Sequence, residues 1–144
     1  MRAVSVELIN IIIYQKSWGF KMAKMAIIVL EGTAQEESVA KIRHAMIYSK
    51  EIKLSGNEIT LIFDGNGTKW LDIISNETSK FDFLNKLFKE ITEMGIIYKA
   101  CGFCSARKEV KESLSAKNIQ FLSEFEGHPD VGKLINEGWQ IIVI

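Results

Sequence analysis

Two cysteines separated by two residues are the groups in this sequence with the most distinctive chemistry. They belong to the motif Cys101-Gly102-Phe103-Cys104, which directly follows an apolar run typical of a strand. Thiols at this spacing can close a disulfide where a strand turns into a helix, and Gly102 relieves steric constraint in such a turn. Because the amino end of a helix stabilises a thiolate, we expect a solvent-presented cysteine with a lowered pKa.

The motif is compatible with three interpretations. One is a dithiol redox centre that uses both cysteines. Another is a sulfur carrier, in which Cys101 is the nucleophile that accepts sulfane sulfur as a persulfide, and Cys104 resolves or shares that sulfur. The third involves no chemistry, because free cysteines are among the most buried residues and two small side chains fit a tight turn.

Several other chemistries fit this sequence less well. A zinc site would need two further ligands beside the thiols, and the histidines of the chain are His44, within a predicted helix, and His128. A thioredoxin-like centre would need a cis-proline partner, and the single proline is Pro129. Glu31-Gly32-Thr33 lacks the glycine spacing of a dinucleotide-binding loop. The sequence therefore predicts no metal and no cofactor.

Weaker candidate site residues lie in neighbouring loops. Gly65, Asn66 and Gly67 follow a predicted strand, and a glycine-rich backbone can approach a ligand closely, although a flexible turn explains the same residues. No Gly-Lys-Ser/Thr follows them, which excludes a P-loop. His128 could donate a proton to a leaving sulfur or pair with a thiolate, or it could simply belong to a turn. Arg107 could attract an anionic sulfur substrate or be a solvated surface residue. The candidate substrate-binding residues are Gly65, Asn66, Gly67, Gly102, Arg107 and His128, and the candidate catalytic residues are Cys101 and Cys104.

The elements that position these residues follow from the alternation of apolar runs with segments of helical period. Strands are predicted at 25–30, 59–63, 96–100, 119–122 and 139–144. This alternation is typical of a parallel sheet covered on both faces, and right-handed crossovers then give a three-layer α/β/α sandwich with a five-stranded parallel sheet. Ligands bind such sheets outside the carboxyl ends of the strands, so residues 31–33, 64–67, 101–104 and 123–128 should share one edge.

The predicted helices occupy the segments between these strands. The first has a capping-box spacing between Thr33 and Glu36, and Gly56 is suited to ending it. Further helices are predicted across 84–94, as one short helix through 110–114, and from Pro129, in its first turn, to Gly138. The stretch 68–79 is either a helical turn that covers Cys101 or packs on a second subunit, or an ordinary short helix of the core.

Length and charge limit the remaining possibilities. With 144 residues, the chain fits one domain that buries roughly two-thirds of its unfolded surface. Its 18 basic and 18 acidic residues cancel, which argues against nucleic acid or acidic membranes as partners. Two cysteines form no disulfide framework, so we expect a cytoplasmic protein.

The first 21 residues are predicted to be an extension, followed by a single domain over 22–144. Their apolar run at 8–13 is too short to cross a bilayer, which takes about 20 residues. They also lack the features of a signal peptide. An added edge strand, a helix docked on a neighbouring chain, or leader sequence ahead of the true start all remain possible.

Over residues 25–144 the chain resembles the DsrE/DsrF-like family, which includes the YchN-type proteins. The resemblance is carried by the apolar first strand, the long first helix, Phe63-Asp64-Gly65, Ile97-Tyr98-Lys99-Ala100-Cys101, and Asn136-Glu137-Gly138-Trp139. It implies a five-stranded parallel sandwich that forms homotrimers or hexamers. It also implies that a cysteine at the position of Cys101 exchanges persulfide or thiosulfonate sulfur with partner proteins in some members. Cys104 is not required by the family. A dithiol oxidoreductase and a non-catalytic assembly subunit are the alternatives.

Overall fold

Five parallel strands form a single sheet in the order β4-β3-β2-β1-β5. The computed structural model describes residues 21–32, 36–77 and 79–144. The strands are β1 (Lys24–Val29), β2 (Glu58–Phe63), β3 (Ile97–Cys101), β4 (Gln120–Leu122) and β5 (Trp139–Val143). The predicted α/β fold with a five-stranded parallel sheet is confirmed. Predictions about residues 1–20 and about the Thr33 cap lie outside the described residues.

Six helices connect the strands in the described part of the chain. They are α1 (Glu36–Leu54), α2 (Gly67–Ile74), α3 (Asp82–Glu93), α4 (Gly102–Arg107), α5 (Lys111–Ala116) and α6 (Val131–Asn136). None of them is long and apolar enough to cross a membrane.

Two helix predictions need correction. The single short helix expected through 110–114 is in fact the pair α4 and α5, separated near Glu109, whose φ of 60° is left-handed and interrupts the helical path. Pro129 does not lie in the first turn of α6. It precedes the N-cap, Asp130, whose carboxylate accepts the backbone N–H of Lys133 at 2.9 Å.

The two faces of the sheet bury very different amounts of apolar surface. Successive side chains of a strand point to opposite faces, so Ile27 and Val29 of β1 join one cluster while Ala26 and Ile28 join the other. The larger cluster also includes apolar residues of α1, α2, α3 and α5. The smaller is covered by partly buried residues such as Leu134 of α6. The main core therefore lies on one side of the sheet.

Helix α2 is part of this main core. Trp70, Leu71 and Ile74 are fully buried, and the indole N–H of Trp70 donates to the carbonyl of Gly32 at 2.6 Å. The part of 68–79 that ends at Ile74 is an ordinary core helix, as one of the two interpretations predicted. The interpretation that it covers Cys101 is wrong, because its buried apolar side chains pack in the main core. The first residue of α2 packs so tightly against the end of β1 that a Cβ on Gly67 would lie 2.0 Å from the carbonyl oxygen of Val29.

Candidate functional site

Four reactive side chains meet at the carboxyl edge of the sheet, supplied by three adjacent strands. Asp64 directly follows β2, Cys101 ends β3, Cys104 is in the first turn of α4, and His128 is in the loop after β4. The parallel register pairs Phe63 of β2 with Ala100 of β3, which brings the next residues of both strands, Asp64 and Cys101, to the same level. We call Asp64, Cys101, Cys104 and His128 the Cys–His–Asp cluster. The predicted convergence of these loops on one edge is confirmed.

The polar atoms of the cluster are in direct contact. The Nδ1 atom of His128 lies 3.2 Å from the sulfur of Cys101 and 3.6 Å from that of Cys104. The sulfur of Cys104 lies 3.3 Å from Oδ1 of Asp64, which is itself 3.8 Å from His128 Nδ1. All four donor atoms are within 4.8 Å of one another. One imidazole nitrogen therefore faces both thiols.

The two cysteines are held by the turn into α4. Cys101 is the N-cap of this helix, and its sulfur accepts the backbone N–H of Cys104 at 3.4 Å. The hydroxyl of Ser105 donates to the carbonyl of Cys101 at 2.6 Å. Gly102 permits a close approach to the loop after β4, because a Cβ at this position would lie 2.1 Å from the hydroxyl oxygen of Ser123. Contacts within α4 and with the loop after β4 therefore hold this turn in place.

His128 and Asp64 are also held by the backbone around them. The N–H of His128 donates to the carbonyl of Phe125 at 2.8 Å, and its own carbonyl accepts the N–H of Phe125 at 3.0 Å. The N–H of Phe103 donates to the carbonyl of Gly127 at 3.1 Å, and the Phe103 ring lies 5.0 Å from the imidazole. The Asp64 carboxylate accepts the N–H of Gly65 at 2.8 Å.

The environment of Cys101 contradicts the expected exposed thiol with a lowered pKa. The residue has no solvent-exposed surface, and burial raises the pKa of Cys101 to about 12. The adjacent Cys104 thiol and the Asp64 carboxylate raise this pKa further, while the N–H of Cys104 opposes the shift. Desolvation disfavours the charged thiolate more strongly than the end of this short helix favours it. Cys101 is therefore a protonated thiol at neutral pH.

The cluster reaches solvent through its other members. Cys104 is 9% exposed, whereas the side chains of Asp64 and His128 are 21% and 40% exposed. Cys101 faces the carbonyl of Gly127 at 3.7 Å as well as the imidazole, so its surroundings are partly polar. A reactant must approach past His128 and Asp64.

The structure separates the remaining sequence candidates. Gly65 positions the Asp64 carboxylate, and Gly67 permits the tight packing under β1. Asn66 is an exposed residue at the start of α2, and Arg107 is exposed at the far end of α4 from the thiols. Neither belongs to the cluster.

Sequence reasoning identified Cys101, Cys104 and His128 but did not assign Asp64 a role. The available signal was its position directly after the strand that neighbours β3, where a carboxylate must lie close to Cys101. His44 is exposed on α1, where its Nδ1 contacts the carbonyl of Ala40 at 2.8 Å. Its predicted place within the first helix is confirmed.

Comparison with known proteins gives relatives whose functions are not described. No protein-family model matches the chain. It is 23% identical over 127 residues to an uncharacterized protein of Methanocaldococcus jannaschii, MJ0733, and the match covers 87% of this chain and 97% of that protein. It is also similar to the structure of a conserved protein of unknown function from Bacteroides thetaiotaomicron, BT1422. The TM-score is 0.58 at 17% identity, with 83% of this chain and 94% of that chain covered. This likeness supports the α/β fold.

Proposed function

We propose that the protein handles sulfane sulfur, with Cys101 accepting it from a partner and passing it on. The observation that carries this proposal is the 3.2 Å contact between the sulfur of Cys101 and Nδ1 of His128. A thiol that is protonated at neutral pH needs a base at the moment of attack, and an imidazole within hydrogen-bond reach is suited to that role. The resemblance to the DsrE/DsrF-like family gives independent support.

The loading step is a transfer between thiols. The proton of the Cys101 thiol moves to His128 Nδ1 while its sulfur attacks the outer sulfur of a donor persulfide. The donor S–S bond breaks, a persulfide forms on Cys101, and the donor thiolate takes the proton back from His128. Only one sulfur atom changes carrier, so the step needs no further oxidant or reductant. It requires that Nδ1 be the unprotonated nitrogen of the neutral ring.

Cys104 gives the loaded sulfur a second possible fate. Its sulfur contacts both His128, at 3.6 Å, and Asp64, at 3.3 Å, so a base is also available to this thiol. Attack by Cys104 on the inner sulfur of the Cys101 persulfide forms the Cys101–Cys104 disulfide and releases hydrogen sulfide. In that step the Cys104 thiol is oxidised and the outer, sulfane sulfur is reduced to hydrogen sulfide, while the Cys101 sulfur keeps its oxidation state.

The shared imidazole also favours a second candidate, a dithiol–disulfide oxidoreductase or redox sensor. A redox pair requires both cysteines, whereas a carrier requires Cys101 alone. Both cysteines are free thiols that already lie in one cluster, which supports pairing without a large rearrangement. The reduction potential of the Cys101–Cys104 pair would then lie near that of the cytosolic thiol pool.

The Cys104→Ser variant distinguishes the two candidates. We expect Cys104→Ser, kept in a metal chelator, to gain sulfur from a persulfidated donor or polysulfide, as measured by intact mass. We expect Cys101→Ser to gain none under the same conditions. His44→Asn is the control, because that histidine is exposed and outside the cluster. If Cys104→Ser fails to load while the wild type only cycles between dithiol and disulfide, the carrier proposal is replaced by the redox pair.

A partner protein is the expected source or destination of the sulfur. Two exposed aromatic side chains lie beside the approach to His128: Phe103 is 50% exposed and Phe125 is 60% exposed. Aromatic residues are enriched where proteins dock on one another. We propose that the chain works as a homotrimer or hexamer in the cytoplasm, where thiols stay reduced, and that it does not act on nucleic acid.

A further inference from the structure

The four side chains of the Cys–His–Asp cluster bring together more potential metal-ligand atoms than a sulfur carrier needs. Two sulfurs, one imidazole nitrogen and one carboxylate oxygen are all ligand types that zinc accepts in proteins. The sequence alone did not indicate this, because Asp64 is distant from the cysteines along the chain. The tertiary structure supplies both of the ligands that the Cys101–Cys104 motif lacks.

We propose that Cys101, Cys104, His128 and Asp64 bind one Zn²⁺ ion. The ligand atoms would be the two sulfurs, Nδ1 of the imidazole and Oδ1 of the carboxylate, which are the atoms that already face one another. This proposal does not rest on sulfur transfer, which would use the same atoms in the metal-free protein, and it replaces the expectation of no metal.

The separations of the donor atoms fit a tetrahedral ion. With the usual zinc–sulfur, zinc–nitrogen and zinc–oxygen bond lengths, neighbouring ligand atoms lie about 3.3–3.8 Å apart. Four of the pairs are at 3.2, 3.3, 3.6 and 3.8 Å, and no pair exceeds 4.8 Å. Side-chain adjustments of less than about 1 Å would therefore be enough to enclose an ion with these bond lengths.

The backbone that carries the ligands is already fixed. The turn containing the thiols is held by the Ser105 hydroxyl, and the His128 loop is held by its paired hydrogen bonds with Phe125. Such supporting bonds orient ligands and raise affinity for the ion. On binding, each thiol would release its proton to solvent, and the resulting two thiolates and one carboxylate would surround the divalent cation.

Zinc titration of the reduced, metal-stripped full chain tests the proposal. We expect one Zn²⁺ per chain by native mass spectrometry, and visible d–d bands of a tetrahedral thiolate site when Co²⁺ is substituted. Competition with a chromophoric chelator should show at least about a tenfold loss of affinity in Cys101→Ser, Cys104→Ser, His128→Asn and Asp64→Asn. The matched controls His44→Asn and Asp82→Asn change exposed residues outside the cluster and should bind as the wild type does.

The result that overturns the proposal is a wild type with no stoichiometric zinc, or an affinity unchanged in both Cys101→Ser and His128→Asn. Alkylation of the wild type provides a second test if the variants do not fold. One equivalent of zinc should slow alkylation of Cys104, the more exposed of the two thiols, and an unchanged alkylation rate at Cys104 would also overturn the proposal. Sulfur loading is measured in the presence of a chelator, so the two proposals can fail separately. A protein that binds zinc but takes up no sulfur rejects only the proposed function. A protein that takes up sulfur but binds no zinc rejects only the zinc site.

Discussion

The reactivity of Cys101 depends on two opposing features of its surroundings. Burial keeps the thiol protonated, with a pKa raised to about 12, while His128 Nδ1 offers a proton acceptor at 3.2 Å. A thiol of this kind is inert toward general reagents but can react with a substrate that reaches it while the proton is transferred. In the proposed function, this combination would make Cys101 selective for a sulfur donor that a partner delivers.

His128→Asn should slow sulfur loading of the metal-free protein. Removal of a general base costs about 10²–10⁴-fold in rate, and Asn preserves much of the ring's polar character without accepting the proton. The measurement is the rate of sulfur uptake by mass spectrometry at fixed donor concentration. His44→Asn is the control, and an unchanged rate in His128→Asn would contradict the assignment of the base.

The thiolate of Cys101 should be absent at neutral pH. In metal-free Cys104→Ser, where Cys101 is the remaining thiol, ultraviolet thiolate absorbance should stay low through pH 9, which is below the usual ionisation range of tyrosine, because burial raises the pKa of Cys101 to about 12. The pKa of Cys101 is shifted upward because desolvation favours the neutral form of the thiol in the folded state. A titration with a midpoint near or below pH 7 would show that burial does not control this group.

At the scale of elements, the sequence predicted five parallel strands alternating with helices and the edge of the sheet at which the cysteines lie. It did so because period and apolar runs report which residues face the core, and the topology of a parallel sheet then determines where the strand ends meet. The burial of Cys101 could not be predicted in this way. It depends on the loop after β4 packing over α4, through Ser123 and Gly127, and that contact between distant segments leaves no periodic pattern.

The roles of α2 and Asp64 also depend on tertiary contacts that the sequence pattern does not report. The apolar residues of α2 fit either a cover over the site or a core helix, and only the tertiary packing of Trp70 distinguishes them. Asp64 lies in a glycine-rich turn that has an ordinary local explanation. Its proximity to Cys104 arises from the pairing of β2 with β3, which joins segments about 40 residues apart.

Glycine substitutions test the packing that positions the site. Gly67→Ala should lower the free energy of unfolding by about 1–3 kcal/mol or more, because its Cβ would meet the Val29 carbonyl at 2.0 Å and backbone atoms cannot easily move aside. Gly32→Ala is the control, since the nearest heavy atom to its Cβ would be 3.9 Å away. Chemical denaturation measures the stability of both variants, and equal stabilities would contradict the close packing of the start of α2 on β1.

Gly102→Ala tests the contact between α4 and the loop after β4. Its Cβ would lie 2.1 Å from the Ser123 hydroxyl, so we expect a loss of stability that Ser123→Gly partly restores. The double variant isolates this pair, because residues in contact give non-additive changes in free energy. Additive effects in a denaturation cycle would show that the strain lies elsewhere.

For the whole molecule, the unequal coverage of the sheet bears on assembly. Helix α6 has no fully buried residue, and Ile135 on this helix and Val143 on β5 are exposed. Sedimentation analysis is expected to show the trimer or hexamer that the family resemblance implies, and a monomer at all accessible concentrations would contradict it.

The proposed function of the whole protein depends on sulfur reaching Cys101, and peptide mapping after loading measures this directly. Metal-free wild-type protein would be incubated with one equivalent of a persulfidated donor, digested, and analysed by mass spectrometry. We predict one added sulfur on the peptide that contains Cys101, or the Cys101–Cys104 disulfide with an equivalent amount of hydrogen sulfide, and neither product in Cys101→Ser. Two unmodified thiols after prolonged incubation, in protein shown to be folded, would contradict the account.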